Sequence, residues 1–265
     1  MVAELGGETL ALYLAGGATG AILDDLLRNI GVTCHCIPIA GYTRIAHAVF
    51  ERPSSQEYHF VPEGPEVSEV EWDACLSKLA TLDFDYVVVS GSLPRGLPDT
   101  AYGGVVDIAA AKGACVVLDT SGNALKATLG KGVFLVKPNR GELEDLVGHP
   151  LPQAPQLVAA ARTLIENKAA EIVAITLGED GALIVSLNEA WHSVAPPVTA
   201  NSAVGAGDSF VGAVTLALAQ GRSLEAVLAY GIAAGTAAVL SPGAELSSAV
   251  DVERLYAAML VTRLL

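Results

Sequence analysis

Tyr86-Val87-Val88-Val89-Ser90, Cys115-Val116-Val117-Leu118-Asp119 and Val133-Phe134-Leu135-Val136 are three short apolar runs of one kind. Each is valine-rich, lacks polar alternation, and precedes a helix-forming stretch, at 100–112, 124–129 and 141–147 in turn. Strands without alternation are buried on both faces, and strands that alternate with helices build parallel βαβ units. The pattern predicts an α/β protein with a mostly parallel, doubly wound sheet.

Toward the C-terminus the same reading gives a helix at 156–167, strands at 171–177 and 182–187, and a short strand near Val198. Alanine-rich helices follow at 208–220 and 224–240, with a last helix from about Val250. Toward the N-terminus, Leu10 to Ala15 reads as a buried strand, and Gly16-Gly17-Ala18-Thr19-Gly20 turns the chain into a helix that Gly31 stops. Between 32 and 62 the pattern changes to short alternating segments at 32–37, 43–50 and 58–61, separated by Gly41 and by Arg52-Pro53-Ser54-Ser55. They read as a small sheet outside the main core, a β lid. An acidic helix at 69–79 completes the order, and no repeat is present. The expectation is one domain over 1–265, with 32–62 as the lid.

The chain has 265 residues, 52% of them hydrophobic but only 5% aromatic, the composition of buried strands under close-packed small-residue helices. A net charge of −14 excludes a broad nucleic-acid or anionic-membrane surface, which needs clustered Lys and Arg. A phosphorylated small molecule stays compatible, since a few cations and backbone N–H groups suffice for it. The start carries an acid and no basic segment, and the longest apolar run, 227–240, is shorter than the roughly 20 residues that span a bilayer. A cytoplasmic protein with reduced cysteines is expected.

Asn201-Ser202-Ala203-Val204-Gly205-Ala206-Gly207-Asp208-Ser209-Phe210 is the strongest local feature, a loop that becomes an apolar helix. Gly205, Ala206 and Gly207 let backbone N–H groups converge at the positive end of the helix, an anion hole. Asp208 in the first turn can take a proton from a hydroxyl. The same residues also suit a plain helix start with an N-terminal acid. Lys137-Pro138-Asn139-Arg140-Gly141-Glu142 follows a strand, and Asn139 and Glu142 can both face its carboxyl end, where ligands bind in open α/β sheets. Glu142 can hold magnesium, and equally the pair can be an N-cap with its capping-box acid. The segment from Thr176 through Gly178 to Gly181 joins two strands, as a nucleotide rest or a glycine hairpin. The segment from Ser90 through Ser92 to Pro98 ends a buried strand at the same rim, and also suits a proline-stiffened loop. No G-x-G-x-x-G follows the first strand, which disfavours a dinucleotide-binding dehydrogenase.

In this order the four segments resemble the PfkB family of carbohydrate kinases, and N-S-x-V-G-A-G-D-S is highly specific to it. The resemblance runs over nearly the whole chain and implies the three-layer ribokinase-like fold with ATP-dependent phosphorylation of a sugar phosphate. Fructose 6-phosphate is the first substrate implied, with fructose 1-phosphate and tagatose 6-phosphate as alternatives. It further implies that Asp208 is the catalytic base and that Gly205, Ala206 and Gly207 form the anion hole. Lys137, Asn139, Thr176, Gly178 and Gly181 would border the ATP, with Asn139 and Glu142 organising Mg2+. Arg44 and Ser92 would meet the sugar phosphate, and Ser202, Val204, Ala238, Ser241 and Gly243 would surround a monovalent cation, K+. The lid implies a homodimer.

Members of that family begin with a strand bearing a substrate-binding aspartate and a G-G-x-G-x-N segment, and neither occurs in these 265 residues. The resemblance therefore implies a shortened kinase with an incomplete sugar side. The reading of another class is a nucleotide-binding paralogue without catalysis.

Overall fold

The computed structural model describes residues 1–51, 56–199, 202–240 and 247–264. The chain, expected as one domain, divides into two compact units: Met1–Gly7, Phe84–Ser92 and Tyr102–Leu265 form the larger, Glu8–Asp83 and Leu93–Ala101 the smaller.

In the smaller unit, β1 (Leu10–Ala15), α1 (Gly17–Asn29) and β2 (Thr33–Pro38) make a parallel βαβ unit, with Leu10 opposite Thr33 and Ala15 opposite Pro38. Gly16, the N-cap of α1, has no Cβ. One there would lie 2.2 Å from the carbonyl oxygen of Ile39, so only glycine lets the two chains meet. Of the three β segments expected between 32 and 62, the first thus pairs with β1, not with its neighbours. Alternation along a strand names the buried face and says nothing about the partner. The other two form the hairpin β3 (His47–Glu51) and β4 (Gln56–Phe60), which carries the pairs His47 with Phe60 and Val49 with Tyr58. Helix α2 (Glu69–Ala80) opens with a full capping box between Ser68 and Glu71, and the other Glu71 oxygen accepts the Ala40 N–H at 2.6 Å.

The larger unit is a seven-stranded sheet among the described residues, in the order β11-β10-β9-β8-β7-β6-β5. Strands β5 (Tyr86–Ser90), β6 (Cys115–Asp119), β7 (Leu135–Val136) and β8 (Ile172–Thr176) run parallel. They are linked through α3 (Gly103–Lys112), α4 (Gly122–Thr128), α5 (Arg140–Val147) and α6 (Ala154–Glu166). Strands β9 (Ala182–Val185), β10 (Ala190–Ser193) and β11 (Val261–Arg263) continue antiparallel. The mixed, mostly parallel α/β architecture is the one expected. Two details differ: Val198 lies in no strand, its place being taken by β10, and β11 follows α9 (Ala249–Tyr256), where only a helix was expected. Three residues of β11 carry no pattern of their own, and β10 supplies their pairing.

Helices α7 (Ala206–Ala219) and α8 (Leu224–Leu240) are apolar on almost every side, the signature of helices buried in a core. They pack on each other and on the sheet with Phe210, Val214, Leu228 and Ile232 all buried. Gly231 is where they touch: a Cβ there would lie 2.6 Å from Val214 and 2.9 Å from the Phe210 ring. Gly231→Ala is therefore expected to lower stability by about 1–3 kcal/mol through overpacking, read as a lower urea midpoint at unchanged slope.

Candidate active site

The candidate site lies in the larger unit, at the rim where the parallel strands end. Ser90 closes β5 directly opposite Asp119, which closes β6. Lys137 follows β7 with its N–H donating to the Leu118 carbonyl (3.0 Å), and Asn139 bridges to Thr176 at the end of β8. A cavity of about 180 Å³ opens here, lined by Ser90, Ser92, Asp119, Thr120, Glu142 and Asp208 among others.

Asp208 sits in the first turn of α7. Gly205 precedes that helix as its N-cap in the left-handed region (φ 76°), and nothing lies within 4 Å of where a Cβ on Gly207 would be. The first N–H groups of a helix have no partner inside it, and both glycines leave the space before them open. The helix start is thus compatible with an anion. The Ser90 hydroxyl donates to Asp208 Oδ1 at 3.3 Å, which aims the carboxylate at the cavity.

Asn139 and Glu142 open α5. The Glu142 N–H donates to Asn139 Oδ1 (2.9 Å) and the Asn139 N–H donates to Glu142 Oε2 (2.8 Å). The capping-box reading is therefore realised, and Glu142, one half of the box, also lines the cavity. Among the described residues no group of three or more His, Cys, Asp or Glu side chains is assembled as a metal cage. That fits magnesium, which takes one or two carboxylates and completes its shell with substrate phosphates and water.

Asp119 is the residue that the sequence reading missed. Its carboxylate meets Lys137 Nζ at 3.0 Å, and both side chains are largely buried, 17% and 9% exposed. Burial raises its acid range, the Lys137 ammonium works against that, and Asp208 and Glu142 add to the rise. The Gly91 N–H donates to the Asp119 carbonyl (2.9 Å), and the Tyr102 hydroxyl donates to the Gly91 carbonyl (3.2 Å). Burial pushes the Tyr102 phenol up to about 12, so it stays a donor at neutral pH. The available signal was position: Asp119-Thr120-Ser121 follows a buried strand at its carboxyl end, as Ser90 and Asn139 do.

The other expected residues fall as follows. Ser92 lines the cavity. Gly178 is exposed in a one-turn 3-10 helix, whereas Gly181 is buried, with a Cβ there only 2.0 Å from the Ser193 carbonyl oxygen, so packing alone requires that glycine. The Ser202 N–H donates to the Val239 carbonyl (3.4 Å), beside the buried Ala238, and its hydroxyl accepts the Val204 N–H (3.2 Å), which ties the loop before α7 to the end of α8. Ser241 and Gly243 lie outside the described residues. Arg44 belongs to the smaller unit, exposed, with its guanidinium donating to the Pro62 carbonyl at 3.4 Å.

The pfkB family carbohydrate kinase model matches residues 1–250. The chain belongs to this family. It is 40% identical over 258 residues to the ATP-dependent 6-phosphofructokinase isozyme 2 of Mycobacterium tuberculosis, covering 97% of this chain and 76% of that one. It is 35% identical over 223 residues to a 1-phosphofructokinase of Xanthomonas campestris, 82% of this chain and 70% of that one. The phosphofructokinase-2 of Escherichia coli, solved in complex with substrates and products, superposes with a TM-score of 0.93 at 37% identity, covering 97% of this chain and 84% of that one. The same enzyme in complex with potassium gives 0.92. No helix among the described residues of this pfkB kinase chain is long and apolar enough to cross a membrane.

The two glycines of the helix start differ in what a methyl group would do to the empty protein. Gly205→Ala forces a left-handed alanine and is expected to cost about 1–2 kcal/mol, whereas Gly207→Ala enters open space and should stay within about 0.5 kcal/mol of the parent in urea unfolding.

Proposed function

We propose that the chain transfers the terminal phosphoryl group of ATP to a hydroxyl of a sugar phosphate, with fructose 6-phosphate as the first substrate and fructose 1,6-bisphosphate as its product. The observation that carries this is Asp208 at the start of α7, held by Ser90 and facing a cavity that Glu142 and Ser92 also line. It combines a base, an oxyanion-binding helix start and a polar wall. The names of the relatives, two of them fructose-phosphate kinases with different acceptors, support the substrate class.

Asp208 takes the proton from the acceptor hydroxyl as its oxygen forms the new bond to phosphorus. The bond from phosphorus to the bridging oxygen breaks, and ADP leaves with that electron pair. The N–H groups of Gly205, Ala206 and Gly207 face charge on the transferring group. Asn139 and Glu142 would hold magnesium, which supplies neutralisation of the phosphate charge. Thr176 and Gly178 would border the nucleotide, with Lys137 beside them. Ser92 would meet the sugar phosphate. Ser202, Val204 and Ala238 would flank a potassium ion.

The chain is also proposed to form a homodimer through the β3–β4 hairpin, because a two-stranded ribbon with apolar residues on one face is marginal alone. Val49 and Phe60 on that face are 48% and 58% exposed. Light scattering is expected to give twice the chain mass, and Phe60→Asp to give a monomer; a monomeric parent contradicts the assembly.

Coupled assay of ADP release with fructose 6-phosphate, fructose 1-phosphate and tagatose 6-phosphate tests the activity. Magnesium-dependent turnover is expected, best with fructose 6-phosphate, and Asp208→Asn should lower kcat by about 10²–10⁴-fold with nucleotide affinity kept. Full turnover in that variant, or nucleotide binding without turnover of any of the three sugars, sinks the reading.

A further inference from the structure

We propose that Asp119 is a positioning residue of the phosphoryl-transfer site, one that fixes the Lys137 ammonium against the terminal phosphate of the bound nucleoside triphosphate. This rests on the kinase reading above. It goes beyond that reading by giving a task to a carboxylate that has no part in acid–base chemistry there.

The cavity wall contains the carboxylates of Asp119, Glu142 and Asp208. A triphosphate entering such a wall is repelled unless cations offset it. Magnesium is one such cation, and Lys137 is the side-chain cation that lies against Asp119. A lysine reaches through a flexible four-carbon stem, and its point charge acts on a phosphate only where the stem is locked. Two features lock it. The Lys137 N–H is tied to the Leu118 carbonyl, which sets the start of the stem one residue from Asp119. The Asp119 carboxylate takes the ammonium at 3.0 Å, with both side chains mostly out of water.

Asp119 is itself held rigidly. It pairs in register with Ser90, its carbonyl accepts the Gly91 N–H, and Tyr102 anchors Gly91 from the other side. A support fixed by backbone bonds transmits its position to the group it carries. Salt-bridging to a single carboxylate leaves two of the three ammonium protons for other acceptors. A phosphate oxygen beyond the Asp119 carboxylate is the acceptor that the cavity would supply.

The test compares the whole chain with Asp119→Asn, Asp119→Glu, Lys137→Met and the double variant Asp119→Asn/Lys137→Met. Calorimetric titration with the magnesium complexes of adenylyl imidodiphosphate and of ADP reads the preference for a third phosphate. The parent should favour the triphosphate analogue by about tenfold, and Asp119→Asn should reduce that preference to about twofold or less. In turnover, the Asp119 variants should lose kcat and raise the ATP KM, with the fructose 6-phosphate KM within about threefold of the parent. The double variant should be no worse than Lys137→Met, since the two residues act as one unit.

Thermal unfolding checks that each variant is folded. Should Asp119→Asn fail to fold, Asp119→Glu decides, because it keeps the charge pair and moves the ammonium by one methylene. Its triphosphate preference is expected to drop by at least about threefold. An unchanged preference in the folded Asp119 variants, or additive losses in the double variant, overturns the proposal and leaves the kinase reading standing. A parent that binds neither nucleotide overturns both.

Discussion

Parallel pairing of β5, β6, β7 and β8 is the constraint on which the rest of the larger unit depends. Parallel neighbours must end at the same rim, so whatever residue follows each strand is delivered to one line of positions without further design. Ser90, Asp119, Lys137 and Thr176 are those residues. They are separated by up to 86 positions in the chain, from 90 to 176, and are brought together by ladder hydrogen bonds. The antiparallel strands β9, β10 and β11 continue the sheet beyond β8.

Asp208 reaches the same rim by a different route, because α7 belongs to no strand-ending loop of the parallel set. Its aim depends on how α7 lies on α8, and small residues make that fit close. Gly231 faces Phe210 and Val214, and a Cβ on Gly235 would lie 3.2 Å from the Ala206 carbonyl oxygen in the first turn of α7. Depth of packing and direction of the Asp208 carboxylate are thus one property. Alanine and glycine in these helices set the distance at which Asp208 stands from Ser90.

Much of this was legible from residue pattern. Valine-rich runs without alternation named the parallel strands because burial on both faces leaves no polar position. Gly205 to Asp208 named the helix start because glycines permit the turn and an acid suits the first turn of the apolar helix that follows. Pairing that depends on distant residues was not legible. Thr33–Pro38 alternates like a lid strand, yet β1 takes it through the crossover helix α1. β11 is three residues long and exists through β10. The spacing of Asn139 and Glu142 left a cap and a ligand pair open because the two need the same geometry. The structure contains the cap, and the carboxylate still faces the cavity.

Asp119 shows why a site can be incomplete in sequence even when its motifs are specific. An aspartate after a strand reads as a turn residue, and nothing near it announces Lys137, which comes 18 positions later. The value of the pair lies in its electrostatics. An acid at this rim raises the cost of bringing in phosphate, so a cavity already lined by Asp208 and Glu142 gains nothing from a third bare carboxylate. Paired with an ammonium at 3.0 Å, that carboxylate is close to neutral as seen from the cavity, while it orients a cation that phosphate can use. The same burial that raises the acid range of Asp119 keeps water from screening the pair. An ion pair in this setting is costly to desolvate and adds little to stability, so its presence beside the cavity is better explained by what it does to an incoming phosphate than by what it does for the fold.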